Sequence, residues 1–168
     1  MPFVGIVLIN NGVCSLANVS KKAAAVMNIL TGGLSLFINF LNLVQGNYYS
    51  AGTGLLFCFT YLFVAIVNIY DLESLPFAWF FTFVAVNAVI FGIIEGVTGS
   101  VALGITPNWR WAAIWWLWAV LCGFSFVIDI LGKNLGKFVP YLQTFEGIMT
   151  AEKSDKGQKG CMTAKNRF

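Results

Sequence analysis

Apolar residues in this chain are gathered into long runs, which short groups of charged, glycine or amide residues separate. A run of about 17 to 25 apolar residues is the length that an α-helix needs to cross the hydrocarbon core of a bilayer. The pattern therefore predicts an all-α membrane protein, a bundle of six transmembrane helices joined by short connections. The predicted spans cover residues 2–19, 23–44, 52–70, 77–94, 109–131 and 135–151.

The positions of the basic residues orient these spans, because Lys and Arg in short loops favour the cytoplasmic side. With the N-terminus outside, the first and fifth loops are cytoplasmic and the second and fourth loops lie outside. Arg110 is the one basic residue in these outer loops, and it opposes this orientation. The cytoplasmic loops then carry Lys21, Lys22, Lys133 and Lys137. Six spans are preferred, with the tail outside. A five-span arrangement with a re-entrant last segment, which is short and contains Glu146, stays open.

Composition places the chain in the membrane and leaves no room for a separate soluble domain. Of its 168 residues, 58% are hydrophobic and 10% are charged, whereas soluble domains are about 45–50% apolar and about 25% charged. The formal net charge of +3 does not indicate an acidic partner, because five of the ten basic residues lie in the last sixteen positions. We predict a transmembrane domain over residues 1–151 and a polar, basic, disordered tail over residues 152–168.

Five of the six tryptophans lie within the stretch NWRWAAIWWLWAVL at 108–121. On a helix, at about 100° per residue, Trp111, Trp115 and Trp118 form one stripe, which Cys122 continues. The other two tryptophans of the stretch fall on the far side, where we expect packing or interfacial contacts. A stripe of indoles without charge is an apolar wall that also carries N–H donors.

Polar side chains inside the spans are the next signal. Seven asparagines lie in or near them, and because unpaired amides are costly in hydrocarbon, they should bond between helices or line a wet passage. Glu146 is the strongest candidate for a pore residue, since an acidic side chain at mid-span costs about 2.5–3.5 kcal/mol on insertion scales. Asp129 and Glu95 lie at span ends and are expected to be interfacial. The asparagines are Asn10, Asn11, Asn28, Asn39, Asn42, Asn68 and Asn87.

The residue types exclude most enzyme chemistry. The chain has no histidine, so it has neither a Ser-His-Asp nor a Cys-His arrangement, and its four cysteines are scattered singly without a CxxC motif. No glycine-rich phosphate loop and no basic stripe for nucleic acid is present. We predict no catalytic residue, no metal site, no cofactor and no nucleic-acid partner.

A small neutral solute is the permeant that best fits this pattern. An ion pump or coupled transporter usually places several ionisable residues at mid-depth, and here only Glu146 qualifies. If the tryptophan stripe faces an axis, flat indoles can stack on a planar amide while a carboxylate and indole N–H groups bond its NH2 and C=O. Two alternatives stay open: a non-transporting scaffold or accessory protein whose tryptophans face lipid, and a proton-coupled transporter that uses Glu146.

Several motifs follow one another through nearly all of the chain to residue 151. They are GIVLINNGVCSL at 5–16, AVMN at 25–28, GGLS at 32–35, AGTGLLFCFTYLFVAI at 51–66, LGIT at 103–106, WAAIWWLWAVL at 111–121 and LGKFVPYLQTFEGIMTA at 135–151. No single motif is decisive, but their order and spacing are together highly specific. In this order the chain resembles the urea and short-chain amide channels of the AmiS/UreI type.

This resemblance implies six transmembrane helices arranged as hairpins around a pore in each protomer. It also implies a homo-hexamer in the bacterial inner membrane, which passes urea or a short-chain amide to a cytoplasmic urease or amidase. The pore residues that it implies are Val4 and Leu8 on the first helix, Phe57 and Tyr61 on the third, Trp111, Trp115, Trp118 and Leu121 on the fifth, and Glu146 on the sixth.

The chain departs from the family pattern at three places. Where urea channels of this family carry a further slot tryptophan, this chain has Cys122, which lines a wider slot and weakens the expectation of strict urea selectivity. Acid-gated members carry histidines in longer outer loops, so the absence of histidine here excludes gating by histidine protonation. Family members also continue the sixth helix with apolar residues after the TA at 150–151, whereas this chain continues with EKSDKGQKG.

Overall fold

The computed structural model describes residues 2–100, 103 and 105–165, with side chains described as far as residue 151. Six α-helices make up most of these residues. Their bounds are α1 Pro2–Leu16, α2 Lys21–Val44, α3 Tyr48–Tyr70, α4 Leu75–Ile93, α5 Trp109–Ser125 and α6 Phe138–Lys165. Single π-helical turns continue α4 over Ile94–Thr98 and α5 over Phe126–Ile130.

Four of these helices are long and apolar enough to cross a bilayer: α2, α3, α4 with its π-helical turn, and α5 with its π-helical turn. The apolar part of α1, Phe3–Leu16, is shorter. Large apolar side chains cover the outside of the bundle, as at Leu30 and Phe37, which are 62% and 61% exposed. Such a surface is unfavourable in water and suits hydrocarbon. The chain is an all-α membrane protein.

The helices pack mainly as three pairs, of which two are hairpins of consecutive helices, α2 with α3 and α4 with α5. The third pair joins α1 to α6, so the predicted arrangement in hairpins does not extend to it. A Cβ atom on Gly5 would lie 2.7 Å from the carbonyl oxygen of Gly147, and one on Gly12 would lie 2.7 Å from that of Pro140. The two helices therefore run antiparallel, and glycine allows their close approach.

The predicted hydrogen bonding of amide side chains between helices is seen between α1 and α2. Asn11 on α1 and Asn28 on α2 donate to each other's side-chain oxygens, at 2.9 and 2.7 Å. Asn39 and Asn87 instead donate to carbonyl oxygens one turn earlier on their own helices. Bonds of either kind satisfy polar groups in a medium without water.

Several predicted helix boundaries differ from the observed ones. Asn18 adopts a left-handed conformation with φ of 53°, which ends α1 at Leu16, before the predicted residue 19. The prediction ended the fourth span at residue 94, but the π-helical turn carries the chain on through Thr98. The sixth helix begins at Phe138 rather than at residue 135, with Pro140 in its first turn, where a missing N–H costs no helical hydrogen bond.

The structure continues α6 as a helix through Lys165, whereas the composition of the tail predicted disorder from residue 152. Lys, Glu, Gln and Ala are favourable in helices, and the segment after Pro140 contains no further proline, so a polar sequence can extend the helix. The division of the chain into a channel domain ending at residue 151 and a separate tail stays a prediction.

Candidate functional site

Among the residues that the structure describes, two cavities inside the bundle are relevant to the site. We call them the Glu95 chamber, of about 290 Å³, and the Asn11 chamber, of about 630 Å³. The Glu95 chamber is lined by, among others, Val4, Thr53, Glu95, Trp111 and Trp115. The Asn11 chamber is lined by, among others, Leu8, Asn11, Tyr61, Leu121 and Cys122. A third cavity of about 610 Å³, the Asn108 recess, adjoins the Glu95 chamber, because Tyr49, Ser50, Glu95 and Trp111 line both.

Three aromatic side chains separate the two chambers, and we call them the aromatic partition. Phe57 and Trp118 line both chambers, and their ring centroids are 4.5 Å apart. Trp115 lies 5.3 Å from Phe57 and 5.4 Å from Trp118, with the two indole planes at 84°. These rings are within aromatic contact of one another, so any opening between them is a narrow, flat slot.

Helical periodicity explains how α5 contributes to the chambers. Trp111, Trp115, Trp118 and Cys122 follow one another at intervals of three or four residues, which places them on one face of the helix. All four side chains line a chamber. Trp109 is 69% exposed, in line with its predicted position on the far side of α5.

The same helical spacing places the candidate site residues of α1 and of α3 on one face of each helix. Phe57 and Tyr61 are one turn apart on α3. Tyr61 lines the Asn11 chamber but not the Glu95 chamber. Val4 and Leu8 are one turn apart on α1, where Val4 lines the Glu95 chamber and Leu8 the Asn11 chamber. All four side chains are buried. The residues that the resemblance implied on these helices therefore each line one or both chambers, and their role in a pore stays a prediction.

Glu146 is the deepest charged residue among the described side chains, with 1% of its surface exposed. It lines none of the three cavities. Neither carboxylate oxygen accepts a hydrogen bond from any residue whose side chain the structure describes. Tyr61 and Cys122, which do line the Asn11 chamber, lie near enough to Glu146 for an electrostatic interaction. A buried carboxylate without a donor is unfavourable, and an N–H group that reached it would be bound strongly.

Glu95 is the site residue that sequence reasoning missed, because it was expected to be interfacial. Its Oε2 accepts a hydrogen bond from Trp115 Nε1 at 2.8 Å, and its Oε1 accepts one from the Tyr49 hydroxyl at 3.1 Å. The π-helical turn that follows α4 places the half-buried Glu95 side chain against α3 and α5. Its interfacial position at the end of the span stays a prediction. A usable signal was the neighbouring Gly96, whose missing side chain lets Ala112 approach.

The chemistry of the passage suits neutral polar solutes. Neutral amide and hydroxyl groups of Asn11, Thr60, Asn68 and Gln143 line the Asn11 chamber. No group of His, Cys, Asp or Glu side chains could hold a metal ion in the part of the chain that the structure describes. Two chambers that carry polar groups in a largely apolar lining, with an aromatic partition between them, can admit a small flat molecule that gives up its water on entry.

Comparison with known proteins identifies the class. Residues 1–152 match the model of the AmiS/UreI family transporter. The chain is 39% identical to an acid-activated urea channel of Helicobacter pylori (strain ATCC 700392 / 26695), over 89% of this chain and 90% of the relative. It is 34% identical to a putative amidate substrates transporter protein of Mycolicibacterium smegmatis, over 89% of this chain and 70% of the relative.

A solved structure is similar throughout the same region. The cryo-electron microscopy structure of the Helicobacter pylori urea channel in its closed state superposes with a TM-score of 0.81 and 40% sequence identity. The match covers 89% of this chain and 90% of that one. Members of this family are channels and transporters, so this protein is not an enzyme. The chain belongs to the AmiS/UreI family of transporters.

Proposed function

We propose that this protein is a passive channel for urea or short-chain aliphatic amides, and that the aromatic partition is its selectivity slot. The observation that carries the proposal is the contact of Phe57, Trp115 and Trp118 between two chambers whose largely apolar linings carry polar groups. A planar amide can pass between ring faces with its flat side against them, whereas a hydrated ion finds no ligands to replace its water. The urea channel and the amidate transporter among the relatives support this class of permeant.

Each residue around the passage has a role in this proposal. Val4 and Leu8 form the apolar side of the constriction, opposite the aromatic side chains. Phe57, Tyr61, Trp111, Trp115, Trp118 and Leu121 shape the slot and its two ends, and Cys122 widens the end that opens into the Asn11 chamber. Glu146 is buried near Tyr61 and Cys122, outside the described cavities, and in this proposal it accepts hydrogen bonds from the NH2 groups of the permeant when these two side chains move aside.

The proposed topology has six spans with the N-terminus outside. The antiparallel pairing of α1 with α6 supports it over a re-entrant last segment, because Ala151 lies beside Gly5, near the start of α1. An ion pair of 3.1 Å between Lys22 and Asp71 joins the first and third loops, as expected if both are cytoplasmic. The proposal also includes, from the resemblance to the family, a homo-hexamer in the bacterial inner membrane that supplies a cytoplasmic urease or amidase.

Stopped-flow flux into proteoliposomes tests the proposal. We expect urea and acetamide to enter faster than they enter empty vesicles. Glu146→Gln should lower this flux about tenfold, because it replaces one hydrogen bond to a charged group with a weaker one. Trp118→Ala should open the partition and let bulkier amides through. Trp109→Ala is the matched control, since that side chain is 69% exposed and lines none of the described cavities.

Two results would count against the proposal at different levels. Flux no faster than in empty vesicles for both solutes removes the channel function. Flux that survives Glu146→Gln and Trp115→Ala unchanged leaves the channel in place and shows that these residues do not form its selective site.

A further inference from the structure

Glu95 occupies the junction between the Asn108 recess and the Glu95 chamber, because its side chain lines both cavities. A solute that moves from the recess to the aromatic partition passes this carboxylate before it reaches Trp118. The side chain is half-buried, so it is open to a solute yet partly removed from water. In such surroundings a hydrogen bond to a carboxylate is stronger than at a fully exposed surface.

The carboxylate of Glu95 is held in place by side chains of two other helices. The 2.8 Å bond from Trp115 comes from α5, and the 3.1 Å bond from Tyr49 comes from α3. Its backbone is fixed as well, since the Glu95 carbonyl oxygen accepts a bond of 2.8 Å from the Asn108 amide. A group held from three sides is preorganised, so binding a solute costs little side-chain entropy.

Glu95 also retains unused acceptor capacity. An ionised carboxylate offers about four lone-pair positions, and the side chains of Trp115 and Tyr49 occupy one on each oxygen. The remaining positions can receive N–H groups from a solute in the chamber. The same carboxylate fixes the plane of the Trp115 indole, which is one of the three rings of the aromatic partition.

We propose that Glu95 is a specificity-determining residue, which selects solutes that carry N–H donors before they reach the aromatic partition. The inference rests on the proposed function, since it concerns the choice among small solutes of a working channel. Urea and primary amides can donate to Glu95 while one face lies against Trp115. Dimethyl sulfoxide is a solute of similar size that only accepts hydrogen bonds. It has no N–H or O–H group to donate to the Glu95 carboxylate, so its passage is disfavoured.

The test is the ratio of acetamide to dimethyl sulfoxide permeability in proteoliposomes, each corrected for empty vesicles. In Glu95→Gln, the side-chain carbonyl oxygen can still accept the hydrogen bond from the Trp115 indole. The second carboxylate oxygen is replaced by an NH2 group, which donates and does not accept. We expect the ratio to fall about tenfold, the fold-change of one lost hydrogen bond to a charged group. Glu95→Asp retains the carboxylate and should keep most of the preference.

Glu73→Gln is the matched control, because it makes the same chemical change at an exposed position in the turn between α3 and α4, outside all three cavities. It should leave the ratio at the wild-type value. A ratio that is unchanged in Glu95→Gln, or permeabilities of both solutes that fall by the same factor, would show that Glu95 only supports the fold and would overturn the inference. Absence of acetamide flux in the wild-type protein would instead remove the proposed function.

Discussion

At the scale of single residues, Cys122 stands where the resemblance implies a further slot tryptophan in urea channels of this family. It lies one turn after Trp118 on α5 and lines the Asn11 chamber, where a thiol occupies far less volume than an indole. The aromatic partition therefore ends in a wider space on this side. Such a site tolerates an extra methyl or methylene group, which a narrow slot rejects by about 1–3 kcal/mol.

Cys122→Trp should convert the channel toward urea selectivity. The added indole extends the stripe of Trp111, Trp115 and Trp118 and narrows the end of the slot, so propionamide should lose permeability about tenfold relative to urea. The measurement is the ratio of the two fluxes in proteoliposomes. Val120→Trp adds the same side chain to an exposed position of α5 and should leave the ratio unchanged. An equal ratio in both variants would mean that Cys122 does not border the passage.

At the scale of helices, the α1–α6 pair is the contact that connects the two ends of the described bundle. Its close approach depends on glycine, because a Cβ atom on Gly147 would lie 2.7 Å from the Gly5 carbonyl oxygen and 2.7 Å from the Ile9 amide nitrogen. Both contacts are to backbone, which cannot rotate away as a side chain can. The pair also sets the position of Glu146, which is adjacent to Gly147.

Gly147→Ala should destabilise the protein although alanine is the better helix former. The extra methyl group forces α1 and α6 apart, at a cost of about 1–3 kcal/mol, and the thermal unfolding midpoint in detergent should fall. Gly33→Ala is the matched control on α2, since a Cβ atom there meets nothing within 4 Å. It should keep or raise the midpoint, because alanine is favoured over glycine in helices by about 1 kcal/mol. Equal midpoints for the two variants would contradict the close packing of α1 on α6.

At the scale of the whole molecule, this chain has no residue of the type that most often senses pH near neutrality. It contains no histidine, whereas one of its relatives is an acid-activated urea channel. That alignment runs over 175 positions, more than the 168 residues of this chain, so the relative has residues without a counterpart here. Protonation of histidine therefore cannot gate this chain.

Permeability to urea should therefore not rise as the pH falls from about 8 to 5, the range in which histidine titrates in proteins. The measurement is flux into proteoliposomes with equal pH on both sides, in steps across this range. The acid-activated channel of Helicobacter pylori in matched vesicles serves as the positive control. Activation of this chain by acid would show that its carboxylates gate the passage instead.

Local sequence pattern determined much of this protein. The apolar runs were sufficient to predict the helices, and the spacing of Trp111, Trp115 and Trp118 was sufficient to predict their common face. Both follow from the 3.6-residue period and from the cost of polar groups in hydrocarbon, which are properties of a single helix. The resemblance to a channel family added Phe57 and Tyr61 as partners of that face.

Only the tertiary structure decided which helices meet and where the polar groups point. The pairing of α1 with α6 depends on contacts between residues far apart in the sequence, such as Gly5 and Gly147. The sequence placed Glu95 at the end of the fourth span, and the structure adds that a π-helical turn sets its carboxylate against Tyr49 and Trp115. Such choices depend on the fit of several helices at once, and the periodicity of one helix contains no information about its neighbours.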